Sequence, residues 1–174
     1  GRGCKLISQH ADSMGAPTAC ESAGVPNVSY NGSTLDACPN TFIVSSRINW
    51  VPYMKYMIEC VRDNKAIDTD WCKGINEGAV ELTPINEKVA APGTAEAIKA
   101  AEEQFKAGTL HVFDTSTFTV DGKTLTSYMA DVDTDEKFTP DTEVISNGYF
   151  HESEKRSAPY FDVNIDGITL LNEG

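Results

Sequence analysis

Six polar or aromatic side chains fall in three loops that each follow a predicted strand. The loops are residues 9–13, 31–33 and 47–50, and the side chains are His10, Asp12, Asn31, Ser33, Asn49 and Trp50. Ligands of open parallel sheets bind beyond the carboxyl ends of the strands, where such loops converge. An indole can stack on a flat heterocycle, and the polar groups can hydrogen-bond its edge or a sugar. We therefore predict a small-molecule site, although each residue is equally suited to a cap or a turn.

The sequence offers few residues that could act together in catalysis. His10, Asp12 and Ser13 are neighbours on one loop, and side chains so placed rarely reach the geometry that a catalytic triad needs. The 3 histidines are far apart in sequence, and no phosphate-binding glycine loop, nucleophile elbow or metalloprotease helix motif occurs. We expect no catalytic residues, no metal and no cofactor. A small hydrolase that depends on His10 or Asp12 stays as an alternative.

Residues 162–167, with Glu173 at the twelfth position, fit the calcium-loop template of EF-hands. The near-alternation of apolar residues over 161–168 indicates a strand instead, and Pro159 excludes a long helix leading into the loop. The sequence given ends one residue after Glu173, which leaves no exiting helix. We expect no calcium site there, and we interpret the acidic segment 131–136 as a solvated turn.

Length and charge limit the classes of partner. The chain has 174 residues, and 14 basic against 26 acidic side chains give a formal charge of −12. That charge repels nucleic acid and anionic lipid, so we expect neither as a partner. No apolar run is long enough to span a bilayer, and we expect no signal peptide at the start of this sequence. The 5 cysteines are odd in number and widely spaced, as expected for buried thiols and not for a disulfide framework.

The helices and strands that position these loops are predicted from the periodicity of apolar residues and from Gly and Pro, which end or begin elements. Strands are predicted at 4–8, 25–30, 41–45, 79–83 and 111–113, and helices at 18–23, 50–61 and 94–107. The opening strand, helix and strand make one parallel crossover unit, with Asp12 or Ser13 as the helix cap. The second helix carries an apolar face that we expect in the core: Trp50, Tyr53, Met54, Met57, Ile58 and Val61. Residues 115–174 predict short strands and loops wrapped against this α/β body.

Four stretches of the chain resemble, in order, the basic-membrane-protein family of bacterial ABC-transporter solute-binding lipoproteins. Residues 9–17 are similar to that family's Q-H-x-D-S-x-A-P loop, with one extra residue before Ala-Pro. Residues 29–33 resemble its G-Y-N-S-D segment, residues 49–53 match N-W-x-P-Y, and residues 73–84 resemble its G-x-K-D-G-x-V-x-L-A-P strand. The tail from Thr115 carries little of this signal.

The resemblance implies a type I periplasmic-binding fold, in which two α/β lobes close on a purine nucleoside or nucleobase. His10 and Asp12 would line a loop of the far lobe, and Trp50 would stand near the hinge. Asn31 takes the position of an aspartate that binds ribose hydroxyls in nucleoside-binding members, so a free base becomes possible. Lys73 and Asn76 are further candidates near the return crossing. Ile48 departs from the tryptophan of many relatives.

The resemblance also implies a longer protein, with the first lobe missing from this chain or present as a separate chain. Residues 1–47 and 75–174 would then belong to the C-terminal lobe and its tail, and residues 48–74 to the N-terminal lobe across the hinge. The intact protein would be a membrane-anchored lipoprotein outside the cytoplasmic membrane, with a small-molecule ligand and a membrane permease as partners. The alternative is a ligand-sensing receptor of the same fold.

Overall fold

The computed structural model describes residues 3–133, 135–156 and 160–170. These residues form two compact units, one over Gly1–Glu59 and Gly74–Ala107 and the other over Cys60–Lys73 and Gly108–Gly174, so far as they are described. The first unit is mixed α/β, as the sequence predicts, and the second is built from short strands and loops. The assignment of residues 48–74 to another lobe stays a prediction.

The first unit contains a four-stranded sheet in the order β1-β2-β3-β4. Its strands are β1 (Ile7–Ser8), β2 (Asn27–Tyr30), β3 (Phe42–Ile48) and β4 (Val80–Leu82). The first three are parallel, which confirms the predicted crossover unit, whereas β4 runs antiparallel to β3. Phe42 and Val44 of β3 are buried apolar residues of this sheet.

Three helices accompany the sheet: α1 (Gly15–Ala23), α2 (Val51–Arg62) and α3 (Thr94–Ala107). The bounds of α3 are those predicted, and α1 ends as predicted at Gly24, whose φ of 65° is left-handed. The predicted cap of α1 is wrong. The N-cap is Met14, with no side-chain hydrogen bond, and Thr18 Oγ1 donates to the Met14 carbonyl at 2.6 Å instead. The helix therefore begins at Gly15 and not at Thr18.

The predicted burial of the apolar face of α2 is also wrong. Trp50 at its start, Met54, Ile58 and Val61 are exposed, the last two by 68% and 73%. Tyr53 and Met57 are half-buried, and Cys60 is the residue of α2 that is buried. The 3.6-residue period correctly places these side chains on one face, but a period carries no information about what covers that face.

Among the described residues, no helix has both the length and the apolar character that a membrane span requires.

The cysteines behave largely as expected. Cys20, Cys38 and Cys60 are buried and no disulfide joins any of the five cysteines, but Cys4 is exposed and Cys72 is half-buried. Burial raises the pKa of the Cys38 thiol, because the thiolate would lose hydration. These buried thiols therefore act as small apolar side chains.

The second unit contains two hairpin-like sheets. They consist of β5 (Met129–Ala130) with β6 (Thr142–Glu143), and β7 (Ile145–Ser146) with β8 (Tyr149–Phe150). Their buried core is Ala130, Val132, Val144, Ile145, Phe150 and Tyr160. Short strands in the tail are thus confirmed. The strand predicted at 111–113 is wrong, because the structure has only a bridge between Asp114 and Tyr149 there. The strand predicted over 161–168 is also wrong, because these residues form no strand.

Candidate ligand-binding site

The parallel strands bring three loops to one edge of the first unit. β1, β2 and β3 run in the same direction, so their last residues, Ser8, Tyr30 and Ile48, lie at the same edge of the sheet. β4 runs the other way, and its first residue Val80 pairs with Ile48, so the segment before β4 reaches this edge too. We call this the carboxyl edge. It is where ligands of open α/β sheets bind.

A ring contact joins the first two loops. The His10 imidazole stacks on the Tyr30 ring, with centroids 5.8 Å apart and planes inclined by 22°. His10 is exposed and Tyr30 half-buried, so the pair presents an aromatic surface at the carboxyl edge. Tyr30 was not among the predicted site residues. Its position as the last residue of a strand that enters a candidate loop was the available signal.

Gln9 is a second residue that the predicted set omits. Its backbone N–H donates to the Val28 carbonyl at 3.3 Å, which continues the β1–β2 ladder into the loop. Its side-chain Oε1 is buried and accepts no hydrogen bond from the residues that the structure describes. An unpaired buried acceptor is costly, so it marks a place where a ligand donor would be stabilised. The signal in the sequence was its place directly after the first strand.

Asn31 begins the loop after β2 in a left-handed conformation, with φ of 71°. Its N–H donates to the Ser46 carbonyl at 2.6 Å, and this fixes the loop to β3 while the side chain stays exposed. Asn tolerates left-handed backbone better than most residues do. Ser33 Oγ accepts from the Leu35 N–H at 3.2 Å, so Ser33 serves a turn.

Asn49 and Trp50 link β3 to α2. The Asn49 N–H donates to the Ala79 carbonyl at 2.8 Å, and its Oδ1 accepts from the Val51 N–H at 3.1 Å, so its side chain caps the start of α2. Trp50 is 56% exposed and meets Tyr53 edge-on at 6.3 Å. Much of the indole is therefore accessible to a stacking partner. Arg47 and Ile48, which the sequence placed in this loop, belong to β3.

The remaining predicted residues separate into two groups. Asn76 is exposed in the turn that leads into β4, where the Ala79 N–H donates to the Gly74 carbonyl at 3.0 Å, so it belongs to the carboxyl edge. Asp12 is exposed in the loop after β1. Lys73 belongs to the second unit and is not part of this edge of the first.

The arrangement suits binding. The described contacts of His10 are with the Tyr30 ring, and no hydrogen bond pairs His10 with Asp12 or Ser13. A serine activated by a histidine needs that hydrogen bond, so the geometry at this edge does not support a hydrolase based on His10 or Asp12. Aromatic faces, an unpaired amide oxygen and exposed amides are groups that recognise a flat polar ligand.

Two carboxylates of the calcium-like segment, Asp162 and Asp166, accept hydrogen bonds from protein donors. The Tyr128 hydroxyl donates to Asp162, and this raises the pKa of Tyr128 to about 12. Asp166 accepts from Thr119 Oγ1 and from the Gly122 N–H at 2.8 Å, and these bonds, the first above all, lower the pKa of Asp166. Glu173 lies outside the described residues. Within the described ranges, no three His, Cys, Asp or Glu side chains gather as metal ligands.

In the acidic segment 131–136, the Asp135 N–H donates to Asp133 Oδ1 at 2.9 Å, as in a turn. Both residues are exposed, whereas Asp131 is half-buried and Val132 is buried. The exposed end of this segment is thus the solvated turn that the sequence predicts. Thr134 lies outside the described residues.

Comparison with solved structures finds a distant likeness. No known protein family and no curated protein matches the sequence. Among solved structures, an ABC-transporter solute-binding protein from Conexibacter woesei is 19% identical, with a TM-score of 0.48. The match covers 64% of this chain and 38% of that protein, so this chain spans well under half of its length. Neither a family nor a function follows from a match at that level.

Proposed function

We propose that this chain is the ligand-binding part of a solute-binding protein of a bacterial ABC uptake system, and that its carboxyl edge binds a purine nucleoside or nucleobase. The observation that carries the proposal is the convergence of the loops after β1, β2 and β3 at one edge of a parallel sheet. The sequence blocks that resemble solute-binding lipoproteins supply the ligand class.

The side chains of this edge divide the work of recognition. The Trp50 indole and the His10–Tyr30 pair offer aromatic faces for a heterocyclic base. Gln9 Oε1, in the loop after β1, offers an acceptor without a partner among the described residues. The Asn31 side chain is exposed in the loop after β2. Ser33 holds a turn and Asn49 caps α2, while Asp12 and Asn76 are outer candidates at this edge. Lys73 stays a predicted ligand-binding residue in the second unit, outside this edge.

No bond is made or broken in this function. Ligand binding would shift an equilibrium between open and closed states, and a membrane permease would respond to the closed state. The intact protein would work outside the cytoplasmic membrane as an anchored lipoprotein. The alternative is a ligand-sensing receptor of the same fold, in which closure on the ligand signals to a partner other than a permease.

A second lobe is part of the proposal, and the apolar face of α2 supports it. Trp50, Met54, Ile58 and Val61 expose a continuous stripe on one side of the helix. Exposed apolar faces of this kind are normally covered in the working protein. In the proposed protein, residues 48–74 cross the hinge, and Met54, Ile58 and Val61 pack within the other lobe while Trp50 stays available to the ligand.

Thermal unfolding of the chain with a panel of nucleosides, nucleobases, sugars and calcium tests the proposal. A ligand at a hundred times its dissociation constant adds about 2.7 kcal/mol of stability, which raises the melting temperature by several degrees. We expect a rise with purine compounds alone. A rise with calcium alone, or no rise with any compound, would overturn the purine-binding proposal.

Trp50→Ala locates the site. Loss of a stacked base–indole contact weakens binding by about 1–3 kcal/mol, roughly five- to 150-fold in dissociation constant. Ile58→Ala is the matched control, because Ile58 is an exposed apolar residue of the same helix, two turns away from Trp50. Equal affinities of the two variants would remove Trp50 from the site.

A further inference from the structure

Three side chains of the second unit form a hydrogen-bonded chain that the proposed binding function does not use. Ser146 Oγ lies 2.7 Å from His151 Nε2, and His151 Nδ1 lies 2.7 Å from Glu154 Oε2. This Ser146–His151–Glu154 relay connects a hydroxyl, an imidazole and a carboxylate in that order. A nucleophile, its base and the group that orients the base are joined in the same order in serine hydrolases.

The carboxylate of Glu154 bears on which ring nitrogen of His151 carries the hydrogen. A carboxylate accepts from an N–H, so in the tautomer with the ring hydrogen on Nδ1 the His151 ring donates to Glu154. Nε2 is then an acceptor, and Ser146 donates its hydroxyl hydrogen to it. The Ser146 carbonyl lies 3.3 Å from Nε2 and only accepts, so it is a partner of Nε2 only when that nitrogen carries a hydrogen. In the tautomer with the ring hydrogen on Nδ1, the imidazole can take a proton from the serine.

The β7–β8 hairpin positions the relay. Ser146 ends β7, and Asn147 and Gly148 make the turn with φ of 52° and 83°, the left-handed values of a tight hairpin. The chain returns through β8, and the His151 N–H donates to the Val144 carbonyl at 2.8 Å. The register of this hairpin thus places the imidazole beside the serine hydroxyl.

Neighbouring rings hold the imidazole in place. The Tyr149 ring lies 3.9 Å from the His151 ring and stacks on His111 at 3.6 Å, and its hydroxyl donates to Glu154 Oε1 at 3.3 Å. The His151 side chain is only 11% exposed, whereas Ser146 and Glu154 are exposed. The base is therefore packed and the nucleophile accessible, as attack by a serine on a substrate requires.

We propose that Ser146 is a catalytic nucleophile for hydrolysis of small acyl esters, with His151 as general base and Glu154 as positioning residue. Ser146 Oγ bonds to the ester carbonyl carbon while its proton moves to His151 Nε2. The carbon–oxygen bond to the alcohol then breaks, and the alcohol leaves with that proton. Water attacks the acyl-serine by the same relay, releasing the acid and restoring Ser146. Ser146, His151 and Glu154 all belong to the second unit, so their proposed role does not rest on the ligand binding proposed for the first.

A fluorophosphonate probe and p-nitrophenyl acetate test the nucleophile on the full chain. The probe bonds through phosphorus to an activated serine and releases fluoride, and peptide mapping then locates the label. We expect the label on Ser146 and none on Ser127, an exposed serine that also donates to a carboxylate but has no imidazole partner among the described residues. Mapping uses the unmodified chain, so it does not depend on whether any variant folds. A label elsewhere, or no label, overturns the proposal.

Variants then separate the roles. Ser146→Ala should abolish ester turnover and Ser127→Ala should leave it unchanged. His151→Gln should slow labelling of Ser146 about a hundredfold or more, the range of general-base catalysis. Glu154→Gln should slow labelling and move the ring proton from Nδ1 to Nε2, which ¹⁵N chemical shifts of the imidazole report. Two results would contradict the proposal: labelling as fast in His151→Gln as in the parent chain, or unchanged labelling in Glu154→Gln with the ring proton still on Nδ1. Either result would mean that the three side chains only stabilise the hairpin.

Discussion

The His10 ring lies on the Tyr30 ring, with 5.8 Å between centroids, and so joins the loop after β1 to the end of β2. His10 lies in the loop after β1 and Tyr30 is the last residue of β2. These two strands are direct neighbours in the sheet. An aromatic pair of this kind both shapes a surface and fixes the path of a loop. The two roles have different experimental consequences.

His10→Ala tests whether the ring pair serves ligand binding. The variant removes an exposed ring, and we expect weaker binding of the best purine ligand by about 0.5–1.5 kcal/mol, the worth of an aromatic contact. Isothermal titration calorimetry measures the affinity. Ser13→Ala changes an exposed residue of the same loop and serves as the control. If both variants bind like the parent chain, the His10–Tyr30 pair has only a structural role.

Asn31→Asp tests how the chain would distinguish a nucleoside from a free base. Asp tolerates left-handed backbone, so the φ of 71° is kept. A carboxylate that accepts from ribose hydroxyls forms charge-assisted bonds worth about 1.5–3 kcal/mol. We expect tighter binding of nucleosides, by roughly ten- to a hundredfold, and no such gain for the bases, in a competition titration. Asn31→Gly keeps the backbone and removes the side chain, so it is the control. A gain in Asn31→Gly, or equal gains for bases and nucleosides, would refute ribose contact.

Local sequence signals explain most of the first unit. The Ala- and Glu-rich run ending at Gly108 predicts α3 with its observed bounds, because helix propensity and a glycine stop act within a few residues. The parallel pairing of β1 and β2 follows from the short helix between them. These features depend on neighbours in sequence, which is why they are readable without a structure.

The features that the sequence did not reveal depend on contacts between distant residues. The exposure of Ile58 depends on what lies over α2, and the stacking of Tyr30 depends on the register of β1 and β2. The meeting of Ser146 with His151 requires the exact turn of the β7–β8 hairpin. In each case the residue types were visible, but the pairing that gives them a role was not.

Phe42→Ala and Ile58→Ala form a matched pair for stability. Phe42 has no exposed surface, so its truncation leaves a cavity and should cost about 3–5 kcal/mol. Ile58 is 68% exposed, and its truncation should change the stability by no more than about 0.5 kcal/mol. Urea unfolding followed by circular dichroism compares the two. A loss in Ile58→Ala close to that of Phe42→Ala would mean that the α2 face is buried in solution, against its exposure here.

Glu21 should make the first unit sensitive to acid. Its carboxylate accepts from Thr41 Oγ1 at 2.7 Å and from Asn40 Nδ2 at 2.6 Å. The bond from Thr41, chief among these contacts, lowers the pKa of Glu21 in the folded chain. A carboxylate whose pKa is lowered by folding stabilises the folded state above its unfolded pKa, and this stabilisation is lost as the pH falls through the folded pKa. The loss therefore belongs to the range below about pH 4.5, the ordinary glutamate value.

Glu21→Gln isolates this effect, because the amide keeps an acceptor oxygen but does not titrate. We expect the variant to melt below the parent chain at neutral pH, since an amide accepts more weakly than a carboxylate. The difference should shrink as the pH falls below 4.5, because only the parent chain loses the charged hydrogen bond there. Melting temperatures across the acid range measure it, with Glu103→Gln on the exposed surface of α3 as control. A difference that stays constant with pH would show that protonation of Glu21 is not coupled to folding.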